Sequence, residues 1–217
     1  MILDALRIAY LDLATLATSL DEDASWRPTA CVGWSVRDLI HHLLSDAQRA
    51  LVALATPARG PADKDAATYW LDFPGASDAE SRGIRATRTM ASQWPLKYLT
   101  AVFAETTSAV VTLSERAAPS DLVSTQGHVL SVADLLATLV VEASIHHLDM
   151  TVEPDCAGPG PEPIGITRRT LDKLLGVSAP TEWADQQWVR AATGRGQLTS
   201  GQREFLGQDV ARLPLLH

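Results

Sequence analysis

The sequence has little cysteine, little basic charge and no long apolar run. Its two cysteines among 217 residues, Cys31 and Cys156, stand far apart without Cys-x-x-Cys spacing, so neither a disulfide framework nor a thiolate zinc site is predicted. Eighteen basic against 26 acidic residues give a net charge of −8, which opposes binding to nucleic acid or anionic membranes. No stretch reaches the roughly 18–20 apolar residues of a membrane span. The N-terminus has no secretory signal pattern, so we expect a cytoplasmic protein.

Apolar side chains recur with helical spacing in four segments of the chain. These segments are 2–20, about 35–56, 96–118 and a fourth that begins at Ser131. Ser35 and Ser131 each stand three residues before an aspartate, the S-x-x-D pattern of an N-terminal capping box. We find no segment in which polar and apolar residues alternate as in a strand. The sequence therefore predicts an all-α fold in which four helices form a bundle.

The connection over residues 57–93 is interrupted by several prolines and glycines. A connection of this length in a compact domain carries function or short helices of its own. It contains the aromatic group Tyr69, Trp70 and Phe73, which fits either a lid over a pocket or an anchor that packs the loop down. Because aromatic side chains bury a large area, we favour the anchor.

The segment 153–165 contains four prolines and three glycines, a composition typical of a semi-rigid linker. It divides the chain into a bundle at 1–152 and a C-terminal extension at 166–217. Within the extension, residues 167–175, 181–192 and 199–212 have helical patterns. A tail of about fifty residues rarely has enough core to fold alone, so we expect it to pack on the bundle.

Three polar residues interrupt the apolar helical sequence, and they are types that bind metals. Glu142 and His146 are four residues apart, which places them on one face of a helix, and His42 belongs to a second helix. Burying such groups is costly unless they are paired or bind a metal. Two imidazoles and a carboxylate form a set that zinc uses in catalytic sites, with one position open. The alternative is ordinary surface or hydrogen-bonded core residues, since Glu-x-x-x-His spacing also arises by chance.

The remaining histidines are weaker candidates for this site. His41 and His147 directly adjoin the proposed ligands, but they are turned about 100° around their helices, so we expect exposed or supporting residues. His128 receives no role. Asp149, one turn after His146, fits two roles equally well: orienting a ligand imidazole, or acting as a charge at a helix end.

Two segments resemble the signature regions of a known family. They are Trp34-Ser-Val-Arg-Asp-Leu-Ile-His-His42 and Glu142-Ala-Ser-Ile-His-His-Leu-Asp149, and over about residues 1–150 the chain resembles the mycothiol-dependent maleylpyruvate isomerase N-terminal family of the DinB-like metalloprotein superfamily. In that family a metal-binding histidine follows the tryptophan by eight residues. The second region supplies a glutamate, a histidine four later and an aspartate three beyond. The resemblance thus implies a DinB-like four-helix bundle with a short helical C-terminal extension, and a divalent ion, with zinc favoured, on His42, Glu142 and His146.

The same resemblance implies a thiol cosubstrate, mycothiol, and catalysis through the metal ligands. We therefore expect a metal-dependent thiol S-transferase or thiol-assisted isomerase that acts on a small electrophilic molecule. A metal-dependent hydrolase and a non-catalytic, metal-stabilised binding bundle are the alternatives. The tail is shorter than the α/β C-terminal domain of the isomerase itself, so we expect only the isomerase's bundle and disfavour maleylpyruvate as substrate. Residues 193–216 are similar to tails of actinobacterial members, and we assign them no chemistry.

Overall fold

Helices account for nearly all of the regular structure. The computed structural model describes residues 1–72, 78–151 and 157–216, with the backbone alone for 78–81. In chain order the elements are α1 (Ile2–Ser19), α2 (Glu22–Ser25), α3 (Val36–Leu54), the 3-10 helix η1 (Thr68–Asp72), α4 (Asp78–Gln93), α5 (Leu96–Ser114), β1 (Leu122–Thr125), β2 (His128–Ser131), α6 (Val132–Met150), α7 (Pro161–Leu175), α8 (Asp185–Ala192), α9 (Ser200–Leu206) and the 3-10 helix η2 (Gly207–Arg212). The all-α prediction is confirmed.

The bundle consists of α1, α3, α5 and α6, the four helices that the sequence predicts. Their capping residues behave as expected: the Ser35 amide donates to Asp38 at 2.8 Å, and the Asp134 amide donates to the Ser131 hydroxyl at 3.1 Å. These bonds satisfy first-turn amides that lack an intrahelical acceptor. They fix where α3 and α6 begin, and with it which side chains face the bundle interior.

Helix α6 is enclosed by two hydrophobic cores. Val140 and Ala143 belong to the core of the four-helix bundle. Val141, Ile145 and Leu148 belong to a second core, formed with α7, α8 and α9. Fifteen of the 19 residues of α6 are therefore buried, although an amphipathic surface helix buries only one stripe. The C-terminal extension packs on the bundle by covering the outer side of this helix.

A short antiparallel hairpin departs from the expectation of no strands. β1 and β2 pair from Leu122 opposite Ser131 to Thr125 opposite His128. Gln126 and Gly127 between them have φ values of 50° and 84°, as the two central residues of a type I′ turn require. With four residues each, the strands are too short for an alternating pattern to stand out in the sequence.

The predicted linker is shorter than expected, because α7 begins inside it. Pro161 and Pro163 lie in the first turn of α7, where a missing N–H leaves no intrahelical hydrogen bond unmade. Proline there starts a helix. The predicted boundary near residue 153, the first linker residues, Cys156 and Phe73 lie outside the described residues. Helix α5 also ends at Ser114, earlier than the predicted 118.

Candidate metal centre

The three predicted ligands meet between α3 and α6. The Nε2 atom of His42 lies 3.4 Å from Oε2 of Glu142, and Nε2 of His146 lies 3.1 Å from the same oxygen. One ligand atom from each of the three side chains falls within 4.8 Å of the others. The rings of His42 and His146 are almost perpendicular, with centroids 4.9 Å apart. The structure thus brings together the three residues that the sequence singles out.

This arrangement fits a divalent ion of the size of zinc. Zinc bonds to nitrogen and oxygen are about 2.0–2.1 Å long, so neighbouring ligand atoms in a tetrahedral site are roughly 3.3 Å apart. The two separations from the Glu142 oxygen, 3.1 and 3.4 Å, are close to this spacing, and all three ligand atoms lie within 4.8 Å of one another. All three side chains are partly shielded: 28% of His42, 26% of Glu142 and 11% of His146 is exposed. The remaining exposure leaves a path by which a small molecule can approach.

A carboxylate and an arginine hold the α6 imidazole in place. Nδ1 of His146 lies 2.9 Å from Oδ2 of Asp149, which is fully buried. Arg195, from the loop after α8, donates to both Asp149 oxygens at 2.6 and 3.0 Å. Because Asp149 engages Nδ1, the lone pair of His146 is left on Nε2, the atom beside Glu142. A carboxylate on the second nitrogen is the common support of a metal-binding histidine.

The α3 imidazole is supported differently. The ring of Trp34 packs edge-on against His42 with centroids 5.6 Å apart. Oδ2 of Asp46, one turn further along α3, lies 3.5 Å from Nε2 of His42. Burial raises the pKa of Asp46 to about 6, opposed by the nearby His42. Asp46 therefore stands beside the same nitrogen that faces Glu142.

The ionisation of the site reflects its close pairing of imidazoles and carboxylates. Burial lowers the pKa of His146, but Asp149 and Glu142 outweigh it and raise that pKa to about 9. Burial raises the pKa of Glu142, yet the hydrogen bonds to His146 and His42 bring it well below its usual range. The cluster of carboxylates thus favours positive charge, which a divalent ion would supply in place of the imidazole protons.

The other three histidines of the described residues lie outside the cluster. His41 packs edge-on against Trp94. His147 is 3% exposed, and its Nε2 lies 3.1 Å from the carbonyl oxygen of Ala157. The expectation of an exposed or supporting His147 is wrong, because Ala157 of the linker segment lies against this side of α6. His128, on β2, lies 2.9 Å from Asp63 and 3.4 Å from Asp72, where it joins the long connection to the hairpin.

Sequence reasoning missed two residues of the site. Asp46 follows His42 at the same four-residue spacing that singles out Glu142 and His146, so its signal was present in the sequence. Arg195 lies 46 residues from Asp149 in the chain, in the tail to which we assigned no chemistry, and no local pattern links the two. The tail therefore does contribute to the site: its Arg195 donates to Asp149, which contacts His146.

The one cysteine in the described residues is not a reactive thiol. Cys31, in the loop before α3, is free. Burial, together with the charge of Asp149, raises the pKa of its thiol to about 11, so it stays protonated at neutral pH. Cys31 therefore does not supply a thiolate nucleophile at this centre.

Comparisons with known proteins agree with a mainly helical bundle protein. Residues 6–151 match the family described as "Mycothiol maleylpyruvate isomerase N-terminal domain", and the chain belongs to this family. A solved structure, titled "Crystal structure of the mycothiol-dependent maleylpyruvate isomerase", shares the fold with a TM-score of 0.61 at 14% identity. No curated protein matches the chain. Among the described residues, no helix is long and apolar enough to cross a membrane.

The structural match also corrects the expectation about the tail. It covers 90% of this chain and 88% of the isomerase chain. Residues 1–151 are only about 70% of the 217 residues, so the shared fold continues into the C-terminal extension. Our expectation of a bundle without the rest of the isomerase is wrong at the level of the fold, and the reason given for disfavouring maleylpyruvate no longer holds.

Proposed function

We propose that this protein is a metal-dependent, mycothiol-type thiol S-transferase or thiol-assisted isomerase that acts on a small electrophilic organic molecule. His42, Glu142 and His146 would hold the divalent ion, with zinc favoured by this ligand set. The convergence of the three ligand atoms within 4.8 Å, in a chain of the mycothiol maleylpyruvate isomerase N-terminal domain family, is the observation that carries the proposal.

A divalent ion held by these three residues would favour the thiolate form of a bound thiol. Neighbouring residues of the chain orient the two imidazoles. Asp149 and Arg195 hold His146 so that its Nε2 faces the centre, and Trp34 limits the rotation of the His42 ring. The partial exposure of Glu142 leaves the centre open to a small substrate.

The two reactions differ only in the fate of the thiol adduct. In transfer, the thiol sulfur bonds to one carbon of an activated double bond, the π bond breaks, the thiol proton goes to the neighbouring carbon, and the adduct is the product. In isomerisation, addition of the thiol to a cis double bond leaves a single bond that rotates freely, and loss of the same thiol and proton gives the trans isomer. The structural match makes maleylpyruvate the first isomerisation substrate to test.

The test begins with metal analysis of the purified protein. Zinc-loaded protein is then assayed with and without mycothiol on maleylpyruvate and a panel of electrophiles. We expect turnover that requires both the metal and the thiol. In cobalt-substituted protein, addition of mycothiol should produce a sulfur-to-metal charge-transfer band. Turnover without the thiol would favour a hydrolase. A metal-loaded protein with neither band nor turnover would favour a non-catalytic binding bundle.

A further inference from the structure

A cleft of about 490 Å³ lies between the loop that precedes α3 and the C-terminal half of α4. Two tryptophans border it on the loop side and three polar residues on the helix side: Trp26, Trp34, Arg88, Thr89 and Ser92. A volume of this size suits a small organic molecule. Trp34 also packs edge-on against His42, so a molecule in the cleft lies one aromatic side chain away from the candidate metal centre.

The indole of Trp26 is held in the cleft by a buried cation. The guanidinium carbon of Arg37 lies 4.0 Å from the centroid of this ring, and Arg37 is 1% exposed. Arg37 also donates to the carbonyl oxygens of Ala91 and Trp94, so the same cation fixes both sides of the cleft. Among the described residues no other ring or cation packs on Trp26, which is 49% exposed. Its second face is therefore a preorganised stacking surface.

The polar groups of the cleft are mostly hydrogen-bond acceptors. The Thr89 and Ser92 hydroxyls each donate to a backbone carbonyl oxygen of α4 at 2.8 Å. The Ser35 hydroxyl, also in the lining, donates to the Asp38 carboxylate at 2.7 Å. Each hydroxyl has a single proton, so its oxygen is left to accept. Arg88 is the exception, because it is exposed and its side chain has no ion pair or hydrogen bond with any described residue.

A neutral, polyhydroxylated ring meets these requirements. Each of its hydroxyls can donate to one group and accept from another, and its C–H groups suit the negative face of an indole. An anion would pair with Arg88 but would meet the Asp38 carboxylate and the lone pairs of the hydroxyls. An apolar molecule would leave Arg88 and these oxygens without a partner.

We propose that this cleft binds a neutral sugar or cyclitol ring, stacked on Trp26 and hydrogen-bonded to Arg88, as the carbohydrate end of the thiol cosubstrate. The assignment to the cosubstrate rests on the function proposed above, since mycothiol joins its cysteine to a glucosamine–inositol unit. The carbohydrate then lies in the cleft, and the thiol extends past Trp34 towards His42. The loop before α3 and helix α4 therefore select the thiol, whereas the three proposed ligands bind the metal.

The first test uses the carbohydrate alone, so that it depends on neither the metal nor the thiol. Titration calorimetry measures the binding of N-acetylglucosaminyl-inositol to the full-length, zinc-loaded protein. We expect Arg88→Gln to weaken this binding about tenfold, as expected for loss of a hydrogen bond to a charged group. Trp26→Leu, which keeps an apolar side chain but removes the stacking surface, should weaken it about fivefold.

Arg82→Gln is the matched control. Arg82 is an exposed arginine on the same helix, but it is turned about 120° away from Arg88 and does not line the cleft. Its loss should leave the affinity for the carbohydrate as it was. Because Trp26 packs on Arg37, Arg88→Gln decides the test if Trp26→Leu does not fold. Equal effects of Arg82→Gln and Arg88→Gln, or no binding of the carbohydrate, would overturn the proposal.

The second test asks whether the bound carbohydrate belongs to the cosubstrate. Mycothiol is compared with N-acetylcysteine amide, which keeps the acylated cysteine and lacks the carbohydrate. We expect Arg88→Gln to raise the KM for mycothiol about tenfold more than the KM for the truncated thiol. An equal change in the two KM values would reject the assignment to the cosubstrate.

The outcome is separable from that of the proposed function. Carbohydrate binding that depends on Arg88, in a protein without thiol-dependent turnover, would support the cleft as a carbohydrate site and reject the thiol chemistry. Thiol-dependent turnover in a protein that does not bind the carbohydrate would support the chemistry and reject the cleft.

Discussion

The two helices that build the candidate centre hold their ligands in different ways. Helix α6 is enclosed by two cores, and its His146 is fixed through Asp149 to Arg195. Helix α3 borders only the bundle core, and its His42 is held by packing against Trp34, with Asp46 at 3.5 Å. The α6 half of the site is therefore preorganised by charge-assisted hydrogen bonds, and the α3 half mainly by packing.

This difference shows what the C-terminal extension contributes. The extension buries the outer side of α6 and supplies Arg195. A segment that is distant in the sequence therefore holds a bundle residue, Asp149, in place. Without a counter-ion, Asp149 would be a fully buried charge next to His146. The bundle and the extension are thus linked through the Asp149–Arg195 pair beside the candidate metal centre as well as through the second hydrophobic core.

Replacing a proposed ligand should have the same effect on metal content whether the ligand lies on α3 or on α6. We expect His42→Ala and His146→Ala each to remove the metal, because two donors of a three-residue set bind a divalent ion far more weakly. Metal content after gel filtration, measured by elemental analysis, tests this. If both variants keep a full equivalent of zinc, the assignment of the ligands is wrong.

Replacing Asp149 or Arg195, which support His146 on α6, should reduce zinc affinity less than replacing a ligand. We expect Arg195→Gln or Asp149→Asn to weaken zinc affinity about 10- to 100-fold, the range found for residues that orient metal ligands. Competition with a chromophoric chelator measures the affinity. Urea unfolding of the metal-free protein separates this effect from lost stability.

Arg190→Gln is a close control for Arg195→Gln. Arg190 donates to the carbonyl oxygens of Leu148 and Thr151, at the same end of α6, but forms no hydrogen bond with Asp149. Its loss should lower stability and leave zinc affinity nearly unchanged. Equal loss of zinc affinity in the two variants would show that Arg195 acts only by stabilising the helix end.

Replacing Asp46, which lies beside His42 on α3, should reduce zinc affinity even less. We expect Asp46→Asn to weaken zinc affinity less than tenfold, because Asp46 lies beside the ligand cluster without a hydrogen bond to its histidine. The same chelator competition measures it. A loss as large as that of Asp149→Asn would mean that Asp46 supports His42 as firmly as Asp149 supports His146.

Much of this structure follows from local sequence patterns. Helical periodicity and the two capping boxes predict the four bundle helices, because these signals act within one or two turns. The spacing of Glu142 and His146, with the family resemblance, predicts the ligand set. The four-residue strands of the hairpin show too little alternation to be predicted, and the proline-rich composition around Pro161 favours a linker although Pro161 starts α7.

The contacts between distant segments could not be predicted in this way. Arg195 meets Asp149 only after the C-terminal extension packs on α6, and nothing in the sequence around either residue encodes that contact. Periodicity identifies which faces of α6 are apolar, but it does not say which segment covers each face.

The last prediction tests the helical register of α6, and its effect on the metal should be the smallest. His147 is turned away from the centre and buried against Ala157, so we expect His147→Ala to keep a full equivalent of zinc. The same change should lower the free energy of unfolding by about 1–3 kcal/mol, through the lost side-chain contacts and a carbonyl left without its partner. His146→Ala should show the opposite pattern, with the metal lost. Zinc retained in His146→Ala and lost in His147→Ala would place the ligand one residue further along, and would reject the register on which the centre depends.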